Sequence, residues 1–207
     1  MSQTERAELC DLALQLGGDQ PTLCGDWTVK DLVVHLLVRE GSPAAVGIVV
    51  SPLAGLTERV SRRIGRRDLS VLVEKLRNGP PRLSPYAGPK VDTVTNTLEF
   101  FVHHEDIRRA QPGWAPRTLG QDAEKLLWSM IRTTGKALTR RAPVSVTIEN
   151  SVTGSRAVLK QGSPSVTVRG LPSEVTVFVF GRKPQARVEL LGDDDAVARL
   201  STTSLGI

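Results

Sequence analysis

Apolar positions recur at helical spacing over roughly the first 140 residues of this chain and alternate with polar ones after that. Ser2 and Glu5 read as a capping box opening a helix that runs to about Leu16, where Gly17-Gly18 stops it. Thr28 with Asp31 gives a weaker version, Asp replacing the usual Glu or Gln. It heads a helix carrying Val29, Leu32, Val33, Leu36 and Leu37. Residues 42–56 read as a small-residue, Pro-containing connection or irregular helix. Asp68 to Leu76 predicts a short helix, ended by Asn78-Gly79-Pro80-Pro81, with a loop over 82–89. A long helix is expected from roughly Val91 to Ala110, broken by Gln111-Pro112-Gly113. Another runs from the Thr118–Gln121 capping box to about Leu138.

Past Arg140-Arg141-Ala142-Pro143 the period changes. Val144, Val146 and Ile148 alternate with Ser145, Thr147 and Glu149, which is a strand pattern, and Ser151 to Ser155 looks like a hairpin turn. Arg156–Lys160, Ser165–Arg169 and Ala186–Leu191 are further strand candidates. Val175 to Phe180 is strand by propensity, yet Pro172-Ser173-Glu174 looks like a helix start, and pattern leaves both readings open. Asp193-Asp194-Asp195 heads a short terminal helix, Ala196 to Leu200, whose N-terminal dipole favours those carboxylates. The expected organisation is therefore an all-α domain over residues 1–140 and a small α+β domain over 141–207, with no internal repeat.

Composition narrows the function classes. Apolar and charged fractions are those of an ordinary soluble protein, and aromatics, at 4%, are scarce enough that Leu, Val and Ala must fill the core. The net charge of +5 is dispersed over Arg62, Arg63, Arg66 and Arg67, over Arg108 and Arg109, and over Arg140 and Arg141. Nucleic-acid binding usually shows a denser stripe interleaved with aromatics, so no nucleic-acid partner is expected. Cys10 and Cys24 form no CxxC motif, and the start Met1-Ser2-Gln3-Thr4-Glu5-Arg6 lacks a signal-peptide core. The longest uncharged stretch, Gly41 to Thr57, is too short to span a bilayer. The expectation is a cytoplasmic protein with no membrane partner, monomeric or homodimeric.

Two of the three histidines carry the chemistry. Glu99 and His103 are four residues apart and share a helix face. Leu98, Phe100, Phe101 and Val102 surround Glu99, so the segment is expected to be buried, and an unpaired carboxylate there would cost several kcal/mol, order of magnitude. A divalent cation would satisfy both side chains; a plain Glu99–His103 ion pair is the alternative. His35, on the helix after Trp27, supplies a third ligand and leaves an open coordination position, as in catalytic zinc sites. Nickel or iron would also suit imidazole and carboxylate. Asn96 and Asp106 extend the stripe, and Asp106 is placed to orient a ligand. His104 and Glu105 point off the stripe and read as non-ligands. Cys24 precedes the His35 helix, where its thiol could be activated by the helix N-terminus, though a packed cysteine is the commoner case.

The segment Cys24-Gly25-Asp26-Trp27-Thr28-Val29-Lys30-Asp31-Leu32-Val33-Val34-His35-Leu36, with Glu99-x3-His103-x2-Asp106, resembles the DinB-like, mycothiol-dependent maleylpyruvate isomerase superfamily of actinobacteria. Ala44 to Val49 and Leu53-Ala54-Gly55 are similar to a branch of uncharacterised actinobacterial metal-binding proteins. The resemblance implies an N-terminal four-helix bundle followed by a sterol-carrier-like α+β domain, with a helix at Val175 to Phe180 and Gly181-Arg182 near a turn. It implies zinc on His35, Glu99 and His103, with Asp106 behind them. It further implies a mycothiol-dependent isomerase or S-transferase acting on an electrophile, with Asn96 and Arg182 as candidate contacts to the thiol. A non-catalytic metal- or ligand-binding module and a metal-assisted hydrolase stand as alternatives.

Overall fold

A computed structural model describes residues 1–41, 54–81, 84 and 96–206. Residues 42–53 of the expected connection over 42–56, most of the 82–89 loop, the start of the helix from Val91, and the Ala44–Val49 segment with Leu53 lie outside the described residues, while 54–56 are helical. Two compact units are present, Met1–Trp114 and Ala115–Ile207. The first is α-rich and the second α+β.

The first unit contains α1 (Ser2–Leu16), α2 (Val29–Gly41), α3 (Ala54–Ile64), α4 (Leu69–Arg77) and α5 (Thr97–Arg109). Their apolar stripes meet in one core, with Leu9 and Ala13 of α1, Leu32, Val33 and Leu36 of α2, Leu72 and Leu76 of α4, and Phe100 and Ile107 of α5. Arg6 crosses that core. Its guanidinium makes two bonds of 2.6 Å to the Glu40 carboxylate, donates to the Leu76 carbonyl at 2.9 Å, and lies 4.2 Å from the Phe100 ring centroid. Bidentate geometry with every charge matched is what makes a buried pair tolerable.

The two N-terminal signals behave differently. Thr28 and Asp31 form a reciprocal box, the Thr28 amide donating to Asp31 Oδ2 at 3.0 Å and the Asp31 amide to Thr28 Oγ1 at 3.3 Å. The Ser2–Glu5 box does not form. α1 begins at Ser2 with no side-chain cap, and Glu5 is buried against His104 instead, because a buried imidazole is the stronger claim on a carboxylate. Nor does Thr118 cap; α6 (Gln121–Leu138) starts after Gly120.

The second unit is a four-stranded sheet, order β2-β1-β3-β4, of β1 (Ser145–Asn150), β2 (Arg156–Lys160), β3 (Ser165–Gly170) and β4 (Glu189–Leu191). β1 and β3 are parallel; the other pairs are antiparallel. Val146, Ile148, Val166 and Val168 face a core shared with Ile131 and Leu138 of α6, α7 (Pro172–Val179) and α8 (Asp194–Thr202). On strand positions of the other parity, a charge ladder crosses the sheet. Glu149 takes Arg156 at 2.6 Å and Arg169 at 3.2 Å, and Arg169 reaches Glu189 at 3.5 Å.

Residues 172–179 are helical: Pro172 fixes the first turn, and every residue of the segment is buried, so packing overrides the β preference of Val175, Val177 and Val179. The last strand is shorter than the expected Ala186–Leu191: it pairs only over Glu189–Leu191, and the Arg187 amide donates to the Glu174 carboxylate at 2.7 Å. The compact division places α6 with the sheet, whereas the change of period near residue 140 had put it with the helical domain. Two contacts account for this. Gly135 has room for Leu159 only because it lacks a side chain, a Cβ there falling 2.8 Å from Leu159 Cδ1. Glu124 accepts the Ser173 amide at 2.9 Å and its hydroxyl at 2.8 Å, capping α7.

Gly181 follows α7 with φ +92°, and a Cβ would meet the Leu205 carbonyl oxygen at 2.6 Å. Gly181→Ala should therefore cost roughly 1–3 kcal/mol, since the methyl would meet a backbone carbonyl that has no side-chain freedom to move aside and the positive φ disfavours alanine. Urea unfolding followed at Trp128, in a Trp27→Phe/Trp114→Phe background, should show the loss; an unchanged midpoint would contradict it.

Candidate metal centre

Helices α2 and α5 each present two polar side chains one turn apart, His35 and Arg39 on one, Glu99 and His103 on the other. All converge on a single atom, Glu99 Oε1: His103 Nε2 lies at 3.2 Å, Arg39 Nε at 3.3 Å and His35 Nε2 at 3.4 Å. The imidazole rings of His35 and His103 meet edge to face at 5.3 Å, and Trp27 lies 5.0 Å from His35. Glu99 keeps 23% of its side chain exposed although Leu98, Phe100, Phe101 and Val102 around it are buried. The site is thus a small opening in an otherwise apolar helix surface, less enclosed than the sequence pattern implied.

Behind His103 is fully buried Asp106. Its Oδ2 lies 2.9 Å from His103 Nδ1 and accepts the Cys24 thiol at 3.0 Å. A carboxylate in contact with Nδ1 draws a proton there and leaves Nε2 aimed at Glu99. The loop bearing Cys24 and Trp27 is pinned to α5. The Leu23 amide donates to the Asp106 carbonyl at 3.1 Å, and Thr22 Oγ1 donates to the Trp27 carbonyl at 2.9 Å. Gly25, at φ +61°, provides the reversal between them.

Distances sort the candidate ligand groups. Donor atoms 2.0–2.1 Å from a tetrahedral ion are separated by about 3.3–3.4 Å. The donor atoms of His35, Glu99 and His103 all lie within 4.8 Å of one another, and the two edges to Glu99 are 3.2 and 3.4 Å. Those values are long for a charge-assisted hydrogen bond and suit a tetrahedral edge. The donor set fits a zinc-class ion. Cys24, His103 and Asp106 form a second group and Glu5, Glu8 and His104 a third. Their shortest contacts, 2.9 Å for His103–Asp106 and 2.8 Å for His104–Glu5, are hydrogen-bond lengths, so these groups orient and neutralise.

The other predicted residues fall elsewhere. Asn96 is fully buried, accepting from Arg39 at 2.5 Å and donating to Glu40 at 2.8 Å, so it spaces those two side chains. Arg182 belongs to the second unit, where it donates to the Phe180 carbonyl at 2.6 Å. Glu105 is held by Arg109 at 2.5 Å and Arg108 at 3.1 Å. Arg39 was missed from sequence. Its signal was available, a basic residue one turn beyond His35 on the same helix. The part played by Cys24 depends on a loop-to-helix contact that spacing does not reveal.

Burial alone would raise the Glu99 carboxyl, but hydrogen bonds from His103 and His35 and the nearby Arg39 charge outweigh it and hold Glu99 well below its ordinary 4.5. Burial opposes charge on His103 too, yet hydrogen bonds to Asp106, Cys24 and Glu99 lift it well above 6.5. No protein-family model, curated protein or solved structure matches this chain. Among the described residues no helix is long and apolar enough to cross a membrane.

The pH dependence of the metal-free protein follows from these two shifts. The Glu99 contribution is present above 4.5 and is lost as pH falls through its lower folded value. The His103 contribution is present below 6.5 and is lost as pH rises through its higher folded value. Chelator-treated protein should thus melt highest between those limits, with a declining midpoint on either side. His103→Gln should remove the alkaline decline and keep the acid one; an alkaline limb that persists in this variant would show that another group causes it.

Proposed function

We propose that this protein binds a zinc-class divalent ion through His35, Glu99 and His103 and uses it in a thiol-dependent isomerase or S-transferase reaction, mycothiol being the thiol suggested by the Trp27–His35 and Glu99–Asp106 motifs. The observation that carries the metal reading is the pair of 3.2 and 3.4 Å edges at Glu99, together with the His103 ring held by Asp106. In the same reading the first unit is a DinB-like four-helix bundle and the second a sterol-carrier-like domain; location of both ligand-bearing helices in the first unit supports this.

A bound ion of this kind lowers the pKa of a coordinated thiol, making it a nucleophile at neutral pH. The chain's own residues supply the rest. Asp106 fixes the His103 tautomer, Arg39 offsets the Glu99 charge, and the exposed fraction of Glu99 leaves an approach for a small thiol and its electrophilic partner. Nickel and iron suit the same ligands.

Arg39 also favours a second reading. It provides a cation 3.3 Å from Glu99 Oε1, so the cluster is electrically satisfied as an ion-pair network, and the protein would then be a ligand-binding module without turnover.

Metal analysis separates the two. Protein purified without chelator should carry about one ion per chain, and His35→Ala or His103→Ala should lose it, as expected when one of three protein ligands is removed. Full metal content in both variants would sink the assignment. For the thiol step, mycothiol titrated into cobalt-loaded protein should produce a thiolate charge-transfer band and release a proton. Absence of both at millimolar thiol would leave a metal protein that does not use this cofactor.

A further inference from the structure

Beside the metal cluster a cleft of about 830 Å³ opens between α2 and α3, with His35 in its wall. Small side chains keep it open. Thr57, Ser61 and Gly65 recur every four residues on the α3 side, so no large side chain on this face fills the space beside Val34. The opposite wall is Trp27, 40% exposed, with Val34 beneath it. An aromatic face left open to a cleft of this size suits the body of a small ligand.

The charged groups in the cleft are not balanced in what they already hold. Asp31 is occupied by the Thr28 amide and hydroxyl. Glu58 and Arg62 approach only to 3.9 Å with 69% of each side chain exposed, a pairing of little worth in water. Arg66 has no hydrogen bond or ion pair among the described residues. Arg59, Arg63 and Arg67 follow on the same helix and its end, all exposed, so the field on this side of the cleft is positive.

We infer that the cleft binds a small organic oxyanion, a carboxylate or phosphate held by Arg62 and Arg66 with its apolar body against Trp27 and Val34. Guanidinium groups bind planar oxyanions in a directional, two-pronged manner, and Trp27 selects against a fully hydrated ion. This inference deepens the metal-site reading, since it assigns the substrate class presented to His35, but the anion contacts do not depend on the ion.

The test uses the full chain carrying Trp114→Phe and Trp128→Phe, so that fluorescence reports Trp27. Benzoate and phenyl phosphate should quench it saturably, and neutral benzamide should bind at least about fivefold more weakly. Arg62→Gln and Arg66→Gln should each weaken benzoate about two- to fivefold, the double variant should fall to the benzamide level, and metal content should stay unchanged. Whichever anion binds more tightly identifies the oxyanion. Equal affinity for benzoate and benzamide, or indifference to both substitutions, overturns the inference. Repeating the titration on chelator-stripped protein keeps the two readings apart. Arginine-dependent benzoate binding by a protein that takes up no metal sinks the metal reading alone. Intact metal uptake with arginine-independent binding sinks this one alone.

Discussion

Helix α5 is buried on nearly every side and yet carries Glu99, His103, His104, Glu105, Asp106 and Arg109 within eleven residues. Each unpaired charge in that setting would cost several kcal/mol, order of magnitude, against a whole-domain stability of about 5–15 kcal/mol. The remainder of the first unit is arranged to meet that demand. α2 brings His35 and Arg39 to Glu99, α1 brings Glu5 to His104, and the loop before α2 brings Cys24 to Asp106. Within the helix, Arg109 closes on Glu105 and lies 5.0 Å from the Trp114 ring.

That constraint explains what was legible in the sequence. A carboxylate among Leu98, Phe100, Phe101 and Val102 had to have a partner, and His103 on the same face and His35 on another helix were identifiable because histidines are so few. Arg39 shares the helix face of His35, which spacing shows, but its choice of Glu99 among many arginines is a tertiary fact. Similar competition decided the caps: Thr28 and Asp31, both at the surface, satisfied each other, while Glu5 was drawn inward by His104. The α-rich and α+β character of the two parts was readable from the change of period. The allegiance of α6 was not, because its amphipathic pattern says that it covers a core without saying which one. Gly135 against Leu159 and Glu124 on α7 specify the sheet, and both depend on distant sequence.

The same side chains form an ion-pair network and are the ligand set of the proposed metal centre. With no ion, two imidazoles and a guanidinium surround Glu99, and raised basicity at His103 keeps a proton in the place a cation would take. An ion held by His35, Glu99 and His103, as proposed, would take that proton's place and release it. Asp106 serves both states, since its contact with Nδ1 is needed whether Nε2 holds a proton or a ligand bond.

Arg6 has a wider consequence. Its guanidinium touches α1's partners on three other helices, the Glu40 carboxylate of α2, the Leu76 carbonyl of α4 and the Phe100 ring of α5. Opening α1 or α2 strands a buried charge, and moving α4 or α5 takes a carbonyl acceptor or a ring face from the same guanidinium, so no helix of that set can open alone cheaply. Their slowest-exchanging amides should share one opening free energy, making the helical unit a single cooperative block in hydrogen exchange and not four fraying segments.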